Sequence, residues 1–226
     1  MDCTDGGNGV MGVYAGPTDS WIDLSFSNSL NGLVTDGLVL ALDAGRTLSY
    51  PGSGTTWTDL SGNGNNCTID ASGFTYNASG YFSMTDGGGI TKSGTMNTST
   101  TCTCVFWMRT TDIQSLFWGS AGSGASHYLG AYNSGNKFYN GSCGSPTFFM
   151  DTVSKANIYD NIRDNQWHMI EFKSVDFSVW TDYTFNKYFG FTFGDGAIAY
   201  LSIYNRNLTE EESKQNYNAT KSRFGL

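Results

Sequence analysis

The chain has 226 residues, a net charge of −8 and a pI of about 4.5. It carries no basic stripe, so duplex nucleic acid is not an expected partner. No apolar run approaches ~18 residues, so no membrane-spanning helix is expected. With 15% aromatic residues, 14% charged residues and 29 glycines against 3 prolines, the composition suits one all-β domain of short strands and tight turns.

Residues 1–36 differ from the rest. The stretch DGGNGVMGVYAGPTDS is Gly-rich and reads as an extended arm, with WIDLSF (Trp21–Phe26) as one short alternating strand. Within residues 1–20, Val10, Met11, Val13 and Tyr14 are the large apolar cluster. That is too little to offset the entropy of ordering so many glycines. The arm is therefore expected to lie on another subunit or particle protein, with Met11, Val13 and Tyr14 as its assembly contacts. The start MDCTDGGNG lacks the basic and apolar stretches of a secretion signal, so either a signal has been removed or maturation in a cytoplasm is expected, and Met1 favours the second.

Residues 37–226 read as the folded domain. Leu38, Leu40 and Leu42 alternate with Val39 and Ala41. Phe74–Tyr76 and Tyr81–Met84 flank the turn NASG. In the strand 101–110, Cys102, Cys104, Phe106 and Met108 form one face, and Thr103, Val105, Trp107 and Arg109 the other. His127–Tyr132 and Lys137–Tyr139 flank NSGN, a hairpin signal. Trp167–Lys173, Ser178–Tyr183, Tyr188–Phe193 and Ala197–Tyr204 follow as strands.

Turn signals recur every eight to fifteen residues or so, which predicts a two-sheet antiparallel sandwich. The expected core is Leu40, Leu42, Cys104, Phe106, Met108, Ile170, Phe172, Leu201 and Ile203, with one residue in two buried. A helix closes the chain over about residues 209–221. Thr209 is its N-cap and Glu212 stands at the capping-box spacing. Glu210–Glu212 complement the start of the helix dipole, and Gly225 supplies a stop. The helix is expected over an edge or end of the sandwich, anchored by Tyr217 and Phe224.

Several segments, in order, carry a family resemblance. IYNRNLTEEE resembles the closing motif of the concanavalin A-like (laminin-G-like) jelly-roll domains. GLVLALDAG (37–45), YPGSGTTWTDLSGNGNN (50–66), TCTCVFWMRT (101–110) and WHMIEF (167–172) resemble its opening strand, Gly/Asn-rich turn, first long core strand and W-H strand. The ending QNYNATKSRFGL is similar to that of marine bacteriophage virion proteins carrying this domain. The resemblance implies an all-β jelly roll with an N-terminal arm. It also implies a non-enzymatic virion protein, a capsid decoration or fibre, made in the host cytoplasm. Its partners would be other virion proteins and further copies of itself, with host-surface glycans as a contact. A secreted carbohydrate-binding module is the alternative. The sequons beginning at Asn66, Asn77, Asn97, Asn140, Asn207 and Asn218 would suit a secreted chain, but so Asn-, Ser- and Thr-rich a composition produces many by chance.

Candidate chemistry is sparse. Glycanase relatives of this fold place their acids on one strand face as E-x-D-x-x-E. The glutamates here are Glu171 and the helix-opening Glu210, Glu211 and Glu212, so that motif is absent. GSGAS (122–126) lies among small loop residues and not at a strand-to-helix elbow. The 5 cysteines, Cys3, Cys67, Cys102, Cys104 and Cys143, are odd in number with no C-x-x-C spacing. Cys102 and Cys104 are two apart on a strand, with Cα atoms about 6.5–7 Å apart, at or past the disulfide limit. Both are expected as reduced core residues. No cofactor is expected, and calcium is the one ion the residues leave open. Asp43, Asp59 and Asp86 offer hard oxygens, although Asp in turns more often caps its own backbone. Trp118, Tyr128, Tyr132, Tyr139 and Trp180 are the aromatic candidates for stacking a sugar.

Overall fold

The computed structural model describes residues 12–14, 21–23, 30, 32–85, 87–111, 115–120, 127–132, 137–156, 162–188, 191–192 and 195–226. The chain divides into two units, Met1–Asn31 and Gly32–Leu226. In the first, β1 (Gly12–Tyr14) pairs antiparallel with β2 (Trp21–Asp23), Val13 opposite Ile22.

The second unit opens with β3 (Leu38–Asp43), β4 (Thr56–Trp57), β5 (Cys67–Ile69), β6 (Phe74–Asn77), β7 (Tyr81–Met84) and β8 (Ile90–Ser93). The long β9 (Cys102–Thr110) follows, then β10 (Ser115–Gly119), β11 (Tyr128–Tyr132) and β12 (Lys137–Gly141). Next come β13 (Gly144–Met150), β14 (Val153–Ser154), β15 (His168–Val175), β16 (Asp182–Phe185), β17 (Lys187–Tyr188), β18 (Phe191–Thr192) and β19 (Gly196–Tyr204). Helix α1 (Glu210–Thr220) and a 3₁₀ turn (Lys221–Phe224) close the chain.

Two antiparallel sheets form the sandwich. One runs β14-β13-β15-β9-β19-β7-β6, with β3 also on β19. The other runs β12-β11-β10-β16-β8-β5-β4. β3 and β7 share one side of β19 end to end: Tyr200–Tyr204 pair with β3, and Gly196–Ile198 with β7. The predicted core is buried in full, from Leu40 and Leu42 through Ile203. The second sheet faces it with Trp57, Cys67, Ile69, Ile90, Tyr183 and Phe185. Phe82 is the hub of an aromatic cluster, 4.8 Å from Tyr50, 4.9 Å from Trp57 and 5.6 Å from Tyr76 between ring centroids. Cys67, Cys102, Cys104 and Cys143 are all buried thiols outside any disulfide.

The structure corrects three expectations. Ser178 and Val179 form a turn, and the strand starts at Asp182, because Asp176 caps Ser178 through both its amide and its hydroxyl. Of the expected strand 188–193, the described residues place Tyr188 in β17 and Phe191–Thr192 in β18, and the rest lies outside the described residues. Burial in β9 and β19 is almost continuous, where alternation would bury one residue in two. The cause is α1, which lies over the outer face of the first sheet and not over an edge or end. Trp107 is stacked there against Tyr217, with centroids 5.7 Å apart, and against Phe224 at 4.3 Å. Its indole Nε1 donates to Thr220 Oγ1 at 2.7 Å.

Candidate functional site

The closing motif turns out to be structural. Tyr204 donates to the Val34 carbonyl at 3.1 Å, and Asn216 of α1 holds the Val34 amide at 2.8 Å. Arg206 forms a two-bond fork with Glu212, at 2.8 and 2.7 Å, and its Nε lies 2.8 Å from Asp36. Asn207 holds the β-bulge of β15 by accepting from the Ser174 amide at 2.7 Å. The capping box is complete: Thr209 Oγ1 accepts from the Glu212 amide, and Glu212 accepts from the Thr209 amide. These bonds seat α1 on the sheet.

Beneath the helix lies a buried ion pair. Glu171 and Lys173 project from β15, with Nζ 3.2 Å from Oε1. Ser213 donates to the same oxygen at 2.9 Å, and Lys173 donates to the Leu208 carbonyl at 2.8 Å. Burial pushes the Glu171 carboxyl up, opposed by the Lys173 charge and the Ser213 hydrogen bond.

The candidate calcium ligands are occupied by protein donors. Asp59 Oδ1 accepts from the Ala41 and Ser61 amides, and Oδ2 accepts from the Asn65 amide and the Ser61 hydroxyl. Asn63 and Asn65 donate to the Val39 carbonyl, so DLSGNGNN is a turn that fastens β3. Asp43 accepts from the Gly45 amide and pairs with Arg46 and Arg223. Asp86 lies outside the described residues.

Of the assembly residues expected from the sequence, Val13 and Tyr14 lie on β1, and Met11 lies outside the described residues. Among the sugar-stacking candidates, Trp180 is buried, 4.7 Å from Phe177 and 5.8 Å from Tyr183, and offers no exposed face. The backbones of Trp118, Tyr132 and Tyr139 lie on β10, β11 and β12. Tyr128 is half-buried.

The surface with open chemistry is one the sequence reading passed over. Beyond the reach of α1, the outer face of the first sheet carries Tyr81, Arg109 and Trp167. β7, β19 and β9 bring them together, since Ala197 stands in register between Ser83 and Arg109. Tyr81 and Trp167 meet edge to face at 5.5 Å. The Arg109 guanidinium lies over both rings, at 5.5 and 5.4 Å. Phe224 packs on Trp167 at 4.9 Å and joins this group to Trp107 and Tyr217. Lys221 lies over Tyr217 at 5.3 Å. An aromatic belt edged with cations thus crosses an otherwise acidic molecule. Arg109 lies on the Trp107 face of β9, which was the available sequence signal.

Next to the belt, His168 is bracketed by carboxylates. Nδ1 is 2.6 Å from Asp151 Oδ2, and Nε2 is 3.2 Å from Asp164. Asp151 stands in the β13–β14 turn with φ 50°, and its other oxygen accepts from the Met169 amide. A ring can donate from both nitrogens only as the imidazolium. The hydrogen bond to Asp151 accordingly raises the His168 pKa against the opposing effect of burial.

No protein-family model and no curated protein matches the sequence. Solved structures do. A mutant of Trypanosoma rangeli sialidase displaying trans-sialidase activity matches with a TM-score of 0.55 at 15% identity, covering 86% of this chain and 34% of that one. The same sialidase in complex with the inhibitor DANA gives 0.51 at 15%, covering 82% and 33%. The binding domain of botulinum neurotoxin serotype D gives 0.50 at 12%, covering 83% and 53%. What they share is the fold, a β-sandwich related to the concanavalin A-like domains. This chain spans about a third of the sialidase chains and about half of the toxin domain.

Proposed function

We propose that this chain is a non-catalytic structural and adhesive protein of a bacteriophage virion. In this reading the N-terminal unit seats it on the particle, and the sandwich faces outward to touch host-surface glycans. The observation that carries the reading is the use the sandwich makes of its acids. Glu171 is sealed under α1 by Lys173 and Ser213, Glu212 is taken up by Arg206, and Asp43 and Asp59 by turns. The usual retaining glycosidase places two carboxyl groups about 5–5.5 Å apart across a cleft, one of them free to exchange a proton. Carboxylates held by scaffold hydrogen bonds suit support, not turnover.

Two further features favour the virion. Burial pushes the Cys67 and Cys143 thiols up to about 12, as suits inert thiols in a reducing compartment. The ending QNYNATKSRFGL is similar to that of phage virion proteins. The second reading, a secreted carbohydrate-binding module, is favoured by the fold likeness to a toxin binding domain.

The test is co-purification. Full-length tagged protein is expected to band with virions on a density gradient. A variant lacking residues 1–20 is expected to keep the sandwich's thermal transition but leave the particle. A truncated protein that bands at normal occupancy would overturn attachment through this segment. A full-length protein absent from particles that binds sugar tightly as a free monomer would move the assignment to the secreted module.

A further inference from the structure

We infer that the Tyr81–Arg109–Trp167 cluster is a binding site for a carboxylate-bearing sugar ring, such as a terminal acidic residue of a surface glycan. The inference rests on the glycan-contact part of the function proposed above and gives it a location and a ligand class.

The argument starts from unmet donors. Among the described residues, Arg109 makes no hydrogen bond and no ion pair; its guanidinium touches only the Tyr81 and Trp167 rings. The Tyr81 hydroxyl and the Trp167 indole N–H likewise have no protein acceptor among the described residues. All three side chains are half-buried, so these donors open to solvent from a fixed platform. Nearby carboxylates do not satisfy the arginine. Asp151 and Asp164 turn onto His168, and Asp43 is taken by Arg46 and Arg223.

The shape selects the ligand. A guanidinium presents paired N–H groups that match the two oxygens of a carboxylate, and its position over both rings holds that fork at this place on the sheet. Trp167 and Tyr81 meet at 67° beside the fork, and in this proposal their outward edges meet the apolar face of a pyranose. Phe224 walls the side toward α1. Ala197, in register between Ser83 and Arg109, is too small to fill the platform from below. The cation Lys221 stands along the same belt and gives an acidic protein a local attraction for anions.

The experiment uses the full chain in calorimetric titrations with three probes: sialyllactose, its methyl ester and lactose. Binding is expected for the acid alone. Arg109→Gln is expected to weaken it by about tenfold or more, the loss of a charge-assisted fork, with an unchanged thermal transition. Arg109→Lys, which keeps the charge, is expected to restore only part of the affinity. The ester comparison holds even if a variant folds poorly. Equal binding of acid and ester, or full affinity in a folded Arg109→Gln protein, would overturn the site while leaving glycan contact elsewhere on the chain intact. No binding to any probe, together with none on an array of acidic glycans, would overturn both the site and the glycan part of the function. Attachment to particles would be untouched by that result.

Discussion

Lys173 and Glu171 form a charge pair whose value depends on both members. Removing one partner of a buried pair typically costs about 3–5 kcal/mol, because the other is left desolvated and unpaired, whereas replacing both by apolar residues is often close to neutral. Lys173→Met is therefore expected to lower unfolding stability by about 3 kcal/mol, and Glu171→Leu with Lys173→Met to recover most of it. Equilibrium denaturation of both variants checks this, and a double variant as unstable as the single one would refute it. His168 makes a pH prediction. Its folded pKa is raised above the ordinary 6.5, so its contribution is fully present below 6.5 and is lost as pH rises through the higher folded value. His168→Gln is expected to destabilise the protein most at mildly acidic pH, with the gap from the unmodified protein shrinking toward alkaline pH. Melting curves across that range decide it. Neither site was visible in the sequence. Glu171 and Lys173 occupy positions that alternation assigns to solvent, and the partners of His168 come from a turn and a loop.

At the scale of elements, the capping box can be tested directly. Thr209→Ala is expected to cost about 1 kcal/mol, as loss of an N-cap usually does. The Arg206 hydrogen bonds, and then the Thr209 amide, hold the Glu212 carboxyl down to about 2. Its stabilising part is present above the ordinary value near 4.5 and is lost as pH falls toward 2, with a size that solvent exposure keeps small. Far-UV dichroism during acid titration should show α1 fraying over that window, and Glu212→Gln should remove the dependence. The cap was legible because its signal is local, two side chains three residues apart. So were β3, β9, β15 and β19, whose core-facing sides carry runs of buried apolar residues. Other strands were not legible. β13 includes Pro146 and shifts register between Gly144 and Thr147, so its pattern breaks where its pairing does. β4 and β5 are held by the Asp59 turn as much as by their own side chains. The belt drew Tyr81, Arg109 and Trp167 from three separate segments, and only the pairing of β7, β19, β9 and β15 makes them neighbours.

For the whole molecule, the buried thiols separate the two proposed settings. Cys67, Cys102, Cys104 and Cys143 are expected to resist a thiol reagent in the native protein and to react fully after unfolding. The melting temperature is expected to be the same with and without reductant. A drop on reduction would reveal a crosslink and support the secreted module. The position of β19 has a consequence for how the molecule is made. The strand that β3, β7 and β9 all pair with is the last to be translated. While a ribosome still holds residue 195, those strands have no common neighbour, and α1, which seals their outer face, does not yet exist. Nascent chains therefore wait with apolar edges open until β19 and α1 have left the ribosome, and the closing step joins segments more than 150 residues apart, as Leu40 does with Ile203. Such distant pairing is slow, on the order of milliseconds to seconds for β topologies. Yield in a heterologous host should accordingly depend more on chaperone supply and temperature than on the strength of any single contact.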